Sequence, residues 1–358
     1  MNHRQSSFSL LRRAAALVAV VFVCLSVSAE RPELTWNVDF RSVFDNREGD
    51  DTYTAADTYF FTQFAPEVGL RFTRHDRISG GLVWTQPIGY DWDGKRVVPT
   101  VYYAREGLWG GAVGLFPKTL LHEELPNFLE SDSLDYFQRN IRGLLLQYNG
   151  RSGFVDMYID WRQRRTETKR EAFDIVFHGR WNPRGGRFFV GGYAMMNHYA
   201  LTRNAADDQH IVDNFLVNPY VGVDLSRTTA LDSLVVRAGG LLTVERNRAY
   251  SDWKAPGGGW FDVTARWRWL ELKNTFYAGG KLFPSYAEHG SQLYLGEPYY
   301  SSDLFNSTDV TAHIISNRYV DLGISLKFNA TPDAFMFYQC VDLKINIGGS
   351  IFKADKQH

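Results

Sequence analysis

Trp260-Phe261-Asp262-Val263-Thr264-Ala265-Arg266-Trp267-Arg268-Trp269 is the stretch whose reading decides the fold. From Phe261 to Trp269 the odd positions are apolar or small, and the even positions as far as Arg268 are polar. Side chains alternate faces along a strand, so such a run has one oily face and one wet face. The same two-residue beat returns in Leu34 to Arg41, Val155 to Arg162, Val320 to Asn329 and Val341 to Ile347. Strand candidates run from 33–45 through 139–149, 153–164, 171–182 and 187–201 to 309–316, 318–329 and 334–349, with almost no helical periodicity between them. In an exported chain, a sheet oily on one side and polar on the other closes naturally into a transmembrane barrel.

Export is written at the N-terminus. Arg4, Arg12 and Arg13 form a basic region, Ala14 to Leu25 an apolar one, and Val27-Ser28-Ala29 a small-residue cleavage site. Residues 1–29 therefore read as a signal peptide, and Val23 before Cys24 is too large for a lipoprotein box. Removing those three arginines takes the 39 basic residues to 36 against 40 acidic, a net charge of −4 in place of −1. A balance so near neutrality argues against nucleic acid as a partner. Cys340 is then the one remaining cysteine, so no intramolecular disulfide can form. Aromatic residues make up 15% of the chain, and Tyr and Trp suit a membrane boundary, where one end of the ring is dry and the other wet. No stretch after the leader reaches the roughly 20 apolar residues of a membrane helix.

The connections carry as much information as the strands. Short joints occur at Arg74-His75-Asp76, Arg105-Glu106-Gly107, Asn149-Gly150-Arg151, Asn182 to Gly186 and Arg227-Thr228-Thr229, rich in residues that permit tight reversals. Longer polar stretches lie between them, at 46–57, 88–96, 117–138, 164–170, 202–213, 247–258 and 283–308. Short and long alternate, as they do in a barrel with short turns on one side of the membrane and long loops on the other. Sixteen strands satisfy that parity if 309–316 and 318–329 are separate, and 14 is the alternative. The expected domains are the leader, a barrel over 30–352 and a polar tail over 353–358.

With this pattern the mature chain resembles the Gram-negative outer-membrane β-barrels, porin-like proteins in particular. Gly114-Leu115-Phe116-Pro117 leading to Ser131-Asp132-Ser133-Leu134, and Leu293-Tyr294-Leu295-Gly296-Glu297-Pro298, are similar to segments of such barrels. The chain departs from many of them in placing six residues after Phe352 instead of ending on an aromatic residue. In general porins the third external loop folds inward. The resemblance therefore implies that loop 117–138, with Glu123, Glu124, Glu130, Asp132 and Asp135, forms an acidic pore constriction.

Opposite charges cluster at Arg162, Arg164, Arg165, Lys169 and Arg170, where they would set a field across the pore or bind anionic lipopolysaccharide. Arg162 is in phase with Asp156, Tyr158 and Asp160. Other wet-face residues expected to line the lumen are Asp39, Arg41, Arg71, Asp262, Arg266, Arg268, Asp321, Lys327, Asp342 and Lys344. Mixed signs predict weak ion selectivity, and a barrel of 14 to 16 strands is expected to be too wide for wall side chains to fill.

Enzyme signatures are poor. Nucleophile elbow, P-loop and zinc-binding His-Glu pair are missing, and the histidines are scattered. His178 or His198 could serve a lipid-facing catalytic rim, but nothing in the sequence places a serine beside either. Asp91-Trp92-Asp93-Gly94 and Asp45 to Asp51 are weak calcium candidates. The expectation is a non-enzymatic outer-membrane pore for passive diffusion of small hydrophilic solutes, without cofactor or metal, contacting lipid and lipopolysaccharide and compatible with a homotrimer. The alternatives are an outer-membrane lipid-modifying enzyme and a non-conducting polysaccharide-binding barrel.

Overall fold

The computed structural model describes residues 32–91, 96–206, 209–226, 228–249 and 252–350. The leader, its cleavage site, Trp92 to Gly94 and the C-terminal tail lie outside the described residues. Sixteen antiparallel strands form one closed barrel in chain order. The first five are β1 (Glu33–Gly49), β2 (Thr58–Arg71), β3 (Asp76–Pro87), β4 (Val97–Arg105) and β5 (Trp109–Pro117). Then follow β6 (Asn140–Gly150), β7 (Gly153–Gln163), β8 (Ala172–Trp181), β9 (Phe188–Tyr199) and β10 (Val212–Asp224). The last six are β11 (Ser233–Asn247), β12 (Gly257–Trp267), β13 (Leu270–Gly279), β14 (Leu304–Ser316), β15 (Val320–Ala330) and β16 (Phe335–Ser350). β1 pairs with β16 from Thr35↔Ser350 to Gly49↔Met336, so the sheet has no free edge. In hydrocarbon an unpaired backbone group costs several kcal/mol, and closure removes that cost for every strand.

β12 shows how the two-residue beat becomes geometry. Phe261 faces outward and is 40% exposed, while Trp260 beside it faces the lumen and is 3% exposed. Asp262, also inward, meets Arg237 of β11 at 2.8 Å. The strand stops at Trp267, and Arg268 turns the chain with a φ of 55°. The alternation read as far as Trp269 thus runs two residues into a turn. Region 309–329 is two strands, and β14 begins at Leu304, ahead of its expected start, because Asn306, Ser307 and Thr308 hide the beat.

Short turns gather at one end of the barrel and the longer loops at the other, with two exceptions: the β15–β16 connection at the long-loop end is only residues 331–334, and the β10–β11 connection at the short-turn end runs over 225–232. β4 and β5 are nine residues each, so the chain leaves the wall early after Pro117 and enters the lumen. This β5–β6 loop carries a short helix, α1 (Asp132–Phe137), whose first turn is capped by Ser131. The β13–β14 loop, residues 280–303, also folds inward, burying Leu282, Leu293, Tyr299 and Tyr300. Phe128 of the β5–β6 loop is fully buried, edge-on to Tyr193, Trp260 and Tyr300.

The two loops bind each other through their backbones. Glu297 N–H donates to the Asn127 carbonyl at 2.7 Å, and Ser131 N–H donates to the Leu295 carbonyl at 2.8 Å. Gly296 lies so close that a Cβ there would stand 2.3 Å from the Phe128 carbonyl oxygen. Around this cork the inward residues of the long-loop half are buried, among them Asp45, Arg47, Gln63, Asn197, Glu245, Phe305 and Tyr338. Wall side chains alone do not fill so wide an interior: the aromatic residues of the two loops pack against wall rings such as Tyr193, Trp260 and Tyr277 and take up the width.

Replacing Phe128 with alanine removes a fully buried ring and should cost about 3–5 kcal/mol. Limited proteolysis should then cut within residues 118–139 while the heat-resistant electrophoretic mobility of the barrel survives. Unchanged protease resistance would contradict the anchoring role.

Candidate functional site

The cork separates two regions in which chemistry can occur: a polar cup below it and the outward rim beside it. In the cup, the acidic residues of the β5–β6 loop are spread over several walls. Glu123 lies 3.4 Å from His178, ion-pairs with Arg180 and approaches Arg237 at 4.0 Å. Burial would raise its carboxyl pKa, but His178 and these arginines outweigh burial and hold it below the usual value. Glu124 points into open space, 89% exposed, 4.0 Å from Lys273 of β13. Glu130 pairs with Lys118 at the loop's own base. Asp132 pairs with Lys327 of β15, and Asp135 with Arg41 of β1 at 2.8 Å. Glu123, Asp132 and Asp135 act as separate moorings to the wall, Glu130 pairs within the loop, and Glu124 is the most exposed of the five.

The wall residues divide in the same way. Arg162 reaches Asp174 at 2.8 Å and donates to Asn197 and the Gln292 carbonyl, so it pins the β13–β14 loop. Asp156 accepts from the His122 backbone at 2.9 Å, and Asp160 holds Arg142 at 3.0 Å. Asp342 meets both Arg41 and Lys344, with the lysine half exposed. Arg266 faces inward near the short turns, donating to Ser316. Arg268, expected on the wall, stands in the β12–β13 turn over the Trp267 ring, because the strand has already ended. Arg165 and Arg170 bond to the carbonyls of Thr202 and Ala200, outside the lumen wall.

The two strand histidines have opposite fates. His178 is in phase with the lumen and lies flat on Tyr193, ring centroids 4.0 Å apart. His198, the penultimate residue of β9, faces outward at the long-loop end. Its Nδ1 is 3.1 Å from Asp213 Oδ1 on β10, and Arg248 Nε donates to Asp213 Oδ2 at 2.7 Å. Among the described residues no hydrogen bond engages His198 Nε2, and its side chain is 23% exposed. Phe173 of β8 packs on the imidazole at 5.0 Å, and Trp161 stacks on Phe173 at 5.2 Å. Below this row the outward residues are apolar: Ile175, Phe177, Met196, Val190, Phe215 and Val217.

A histidine on the outward face, held by a carboxylate and with its second nitrogen free of hydrogen bonds among the described residues, has the arrangement of a general base. Asp213 escaped the sequence reading because it was assigned to a polar loop. Parity within Val212 to Asp224 sets it outward, opposite His198. That cross-strand register cannot be read from either segment alone.

Comparison with known proteins follows this geometry. The sequence model of the lipid A 3'-O-deacylase-type family matches residues 27–348. No curated protein matches the chain in sequence. Among solved structures, the chain is similar to OprD of Pseudomonas aeruginosa (TM-score 0.52, 8% identity, covering 88% of this chain and 94% of that one). OccK1 (OpdK) of the same organism gives 0.51 at 8% identity, covering 88% and 99%. These likenesses show the outer-membrane barrel fold. The expectation that the chain is no enzyme is overturned by the family match, which names an ester-cleaving family. No linear enzyme motif in the sequence announced it.

The buried Arg162–Asp174 pair supplies a test of the cork's mooring. Arg162→Met leaves Asp174 buried without its cation and should cost about 3–5 kcal/mol. Adding Asp174→Leu should restore most of that loss in urea titrations of the detergent-folded barrel. Equal damage in the single and double variants would contradict the pairing.

Proposed function

We propose that this chain, which belongs to the lipid A 3'-O-deacylase-type family, hydrolyses an acyl ester of lipid A in the outer leaflet, at the rim formed by β8, β9 and β10. The observation that carries this reading is the His198–Asp213 pair on the outward row at the long-loop end. With the short turns in the periplasm, that end lies at the outer leaflet, and acyl chains can run down the apolar wall below the imidazole. Asp213 orients the ring and holds the proton on Nδ1, while Arg248 fixes the carboxylate. His198 Nε2 takes a proton from a water molecule as its oxygen adds to the ester carbonyl. The tetrahedral adduct collapses with cleavage of the acyl carbon–oxygen bond. The imidazolium returns the proton to the departing sugar oxygen, leaving a fatty acid and an alcohol.

Arg246, opposite Asp213 on β11, is the cation available to the oxyanion. Exposed Arg164, Arg165, Lys169 and Arg203 on the loops above suit the anionic headgroup.

His198→Ala should lower fatty-acid release from lipid A vesicles about 100-fold or more, measured by mass spectrometry, with the heat-resistant mobility of the barrel retained. Full activity in that variant would remove the rim from the reaction.

A second reading, passage of small hydrophilic solutes, is favoured by the two-signed cup in which Glu124, Lys273 and Lys344 are exposed. It requires the two loops to part. Planar bilayers should then show stepwise ohmic openings, and replacing Glu123, Glu124 and Glu130 with alanine should lower cation preference. A folded barrel that stays silent would leave the rim chemistry alone.

A further inference from the structure

We infer that the short-turn mouth of the barrel is a binding site for a small oxyanion, independent of the rim and of any passage through the cork. A cavity of about 390 Å³ opens there between β1, β2, β3, β16 and the descending start of the β5–β6 loop. Three arginines line it, Arg71, Arg77 and Arg318, against one acid, Glu67. Glu67 is already engaged, accepting from Tyr102 O–H at 2.8 Å. Asn37 and Thr119 add neutral polar groups to the lining.

The guanidinium groups are the decisive feature. Arg71 and Arg77 stand at the short-turn ends of neighbouring strands, directly opposite in register. Each has a buried Nε–H without a hydrogen-bond partner among the described residues. Their nearest carboxylates lie too far away for hydrogen bonds: Glu106 is 3.6 Å from both, and Glu33 is 3.8 Å from Arg71. Glu106 belongs to the β4–β5 turn, and its side chain is 53% exposed. It marks the point between the two guanidiniums where a carboxylate can sit, and it sits there loosely. An incoming carboxylate or phosphate can swing Glu106 aside and bond to both forks, a geometry for which guanidinium is suited. Facing the periplasm, the site would take a soluble dianion, not an outer-leaflet lipid.

Equilibrium dialysis of the detergent-folded full chain against labelled succinate and, separately, inorganic phosphate tests the inference. Saturable binding of at least one is expected, weakened about tenfold or more by Arg71→Gln or Arg77→Gln. Glu106→Gln removes the resident competitor and should tighten binding several-fold. Arg318→Gln, on an exposed turn, reports on the same site should a strand variant fail to fold, and should weaken binding. Succinate alone would identify a carboxylate ligand, phosphate alone a phosphate ligand, and both a site that reads only the oxyanion. No saturable binding of either probe, or affinity unchanged in the arginine variants that fold, overturns the inference.

Discussion

Every other feature depends on the need to pair backbone N–H and C=O groups inside hydrocarbon. A sheet meets that need only by closing, and closure fixes which side chains look outward and which look inward along all sixteen strands. The two-residue period then becomes a partition of chemistry. One row faces lipid, the next faces the lumen, and a one-residue slip would exchange them. His178 and His198 illustrate the consequence. Their strands β8 and β9 are neighbours, yet one imidazole lies on Tyr193 inside the barrel and the other meets Asp213 outside it.

A closed ladder of this circumference leaves an interior that must be filled with water or with protein. The short β4 and β5 decide the matter by releasing the chain into the lumen below the level of the other strands. The β5–β6 loop alone could swing aside. What holds it is the β13–β14 loop, clasped to it by backbone hydrogen bonds at Asn127, Ser131, Leu295 and Glu297 and moored to the wall by Arg162 and Asn197. Buried aromatic rings supply the bulk, and paired charges such as Asp45–Arg47 occupy the remaining gaps. The cost of burying those charges is offset only while each keeps its partner, which makes the cork sensitive to single substitutions along its edge.

Strand periodicity made most of the barrel legible. Leu34 to Arg41 and Val341 to Ile347 announce their faces, and the alternation of short and long connections announces the parity. What stayed hidden depends on contacts between distant segments. Polar Asn306, Ser307 and Thr308 mask the start of β14; on the outward face Asn274 of the adjacent strand donates to the Asn306 and Thr308 side chains and to the Ser307 carbonyl. The fate of the acidic loop depended on the second inward loop, whose Gly296 fits beneath Phe128 for a steric reason no local pattern expresses. The rim pair is legible only once β9 and β10 are in register, because neither His198 nor Asp213 has a sequence neighbour that marks it.

The partition also explains how a barrel with a filled interior can still be an enzyme. Catalysis on an outer-leaflet lipid, as proposed for the rim, needs no lumen, because such a substrate would lie against the outer wall. It needs a polar pair at the height where ester groups sit, an apolar wall beneath for the acyl chains and cations above for the headgroup. Along β8 to β11 those three layers follow one another within a few residues: Ile175 and Met196 below, His198 and Asp213 between, Arg203 and Arg248 above. The cork is then an asset to the rim. By holding Arg162, Asp174 and Asn197 rigid on the inward row, it stiffens the same strand ends that carry the dyad on the outward row.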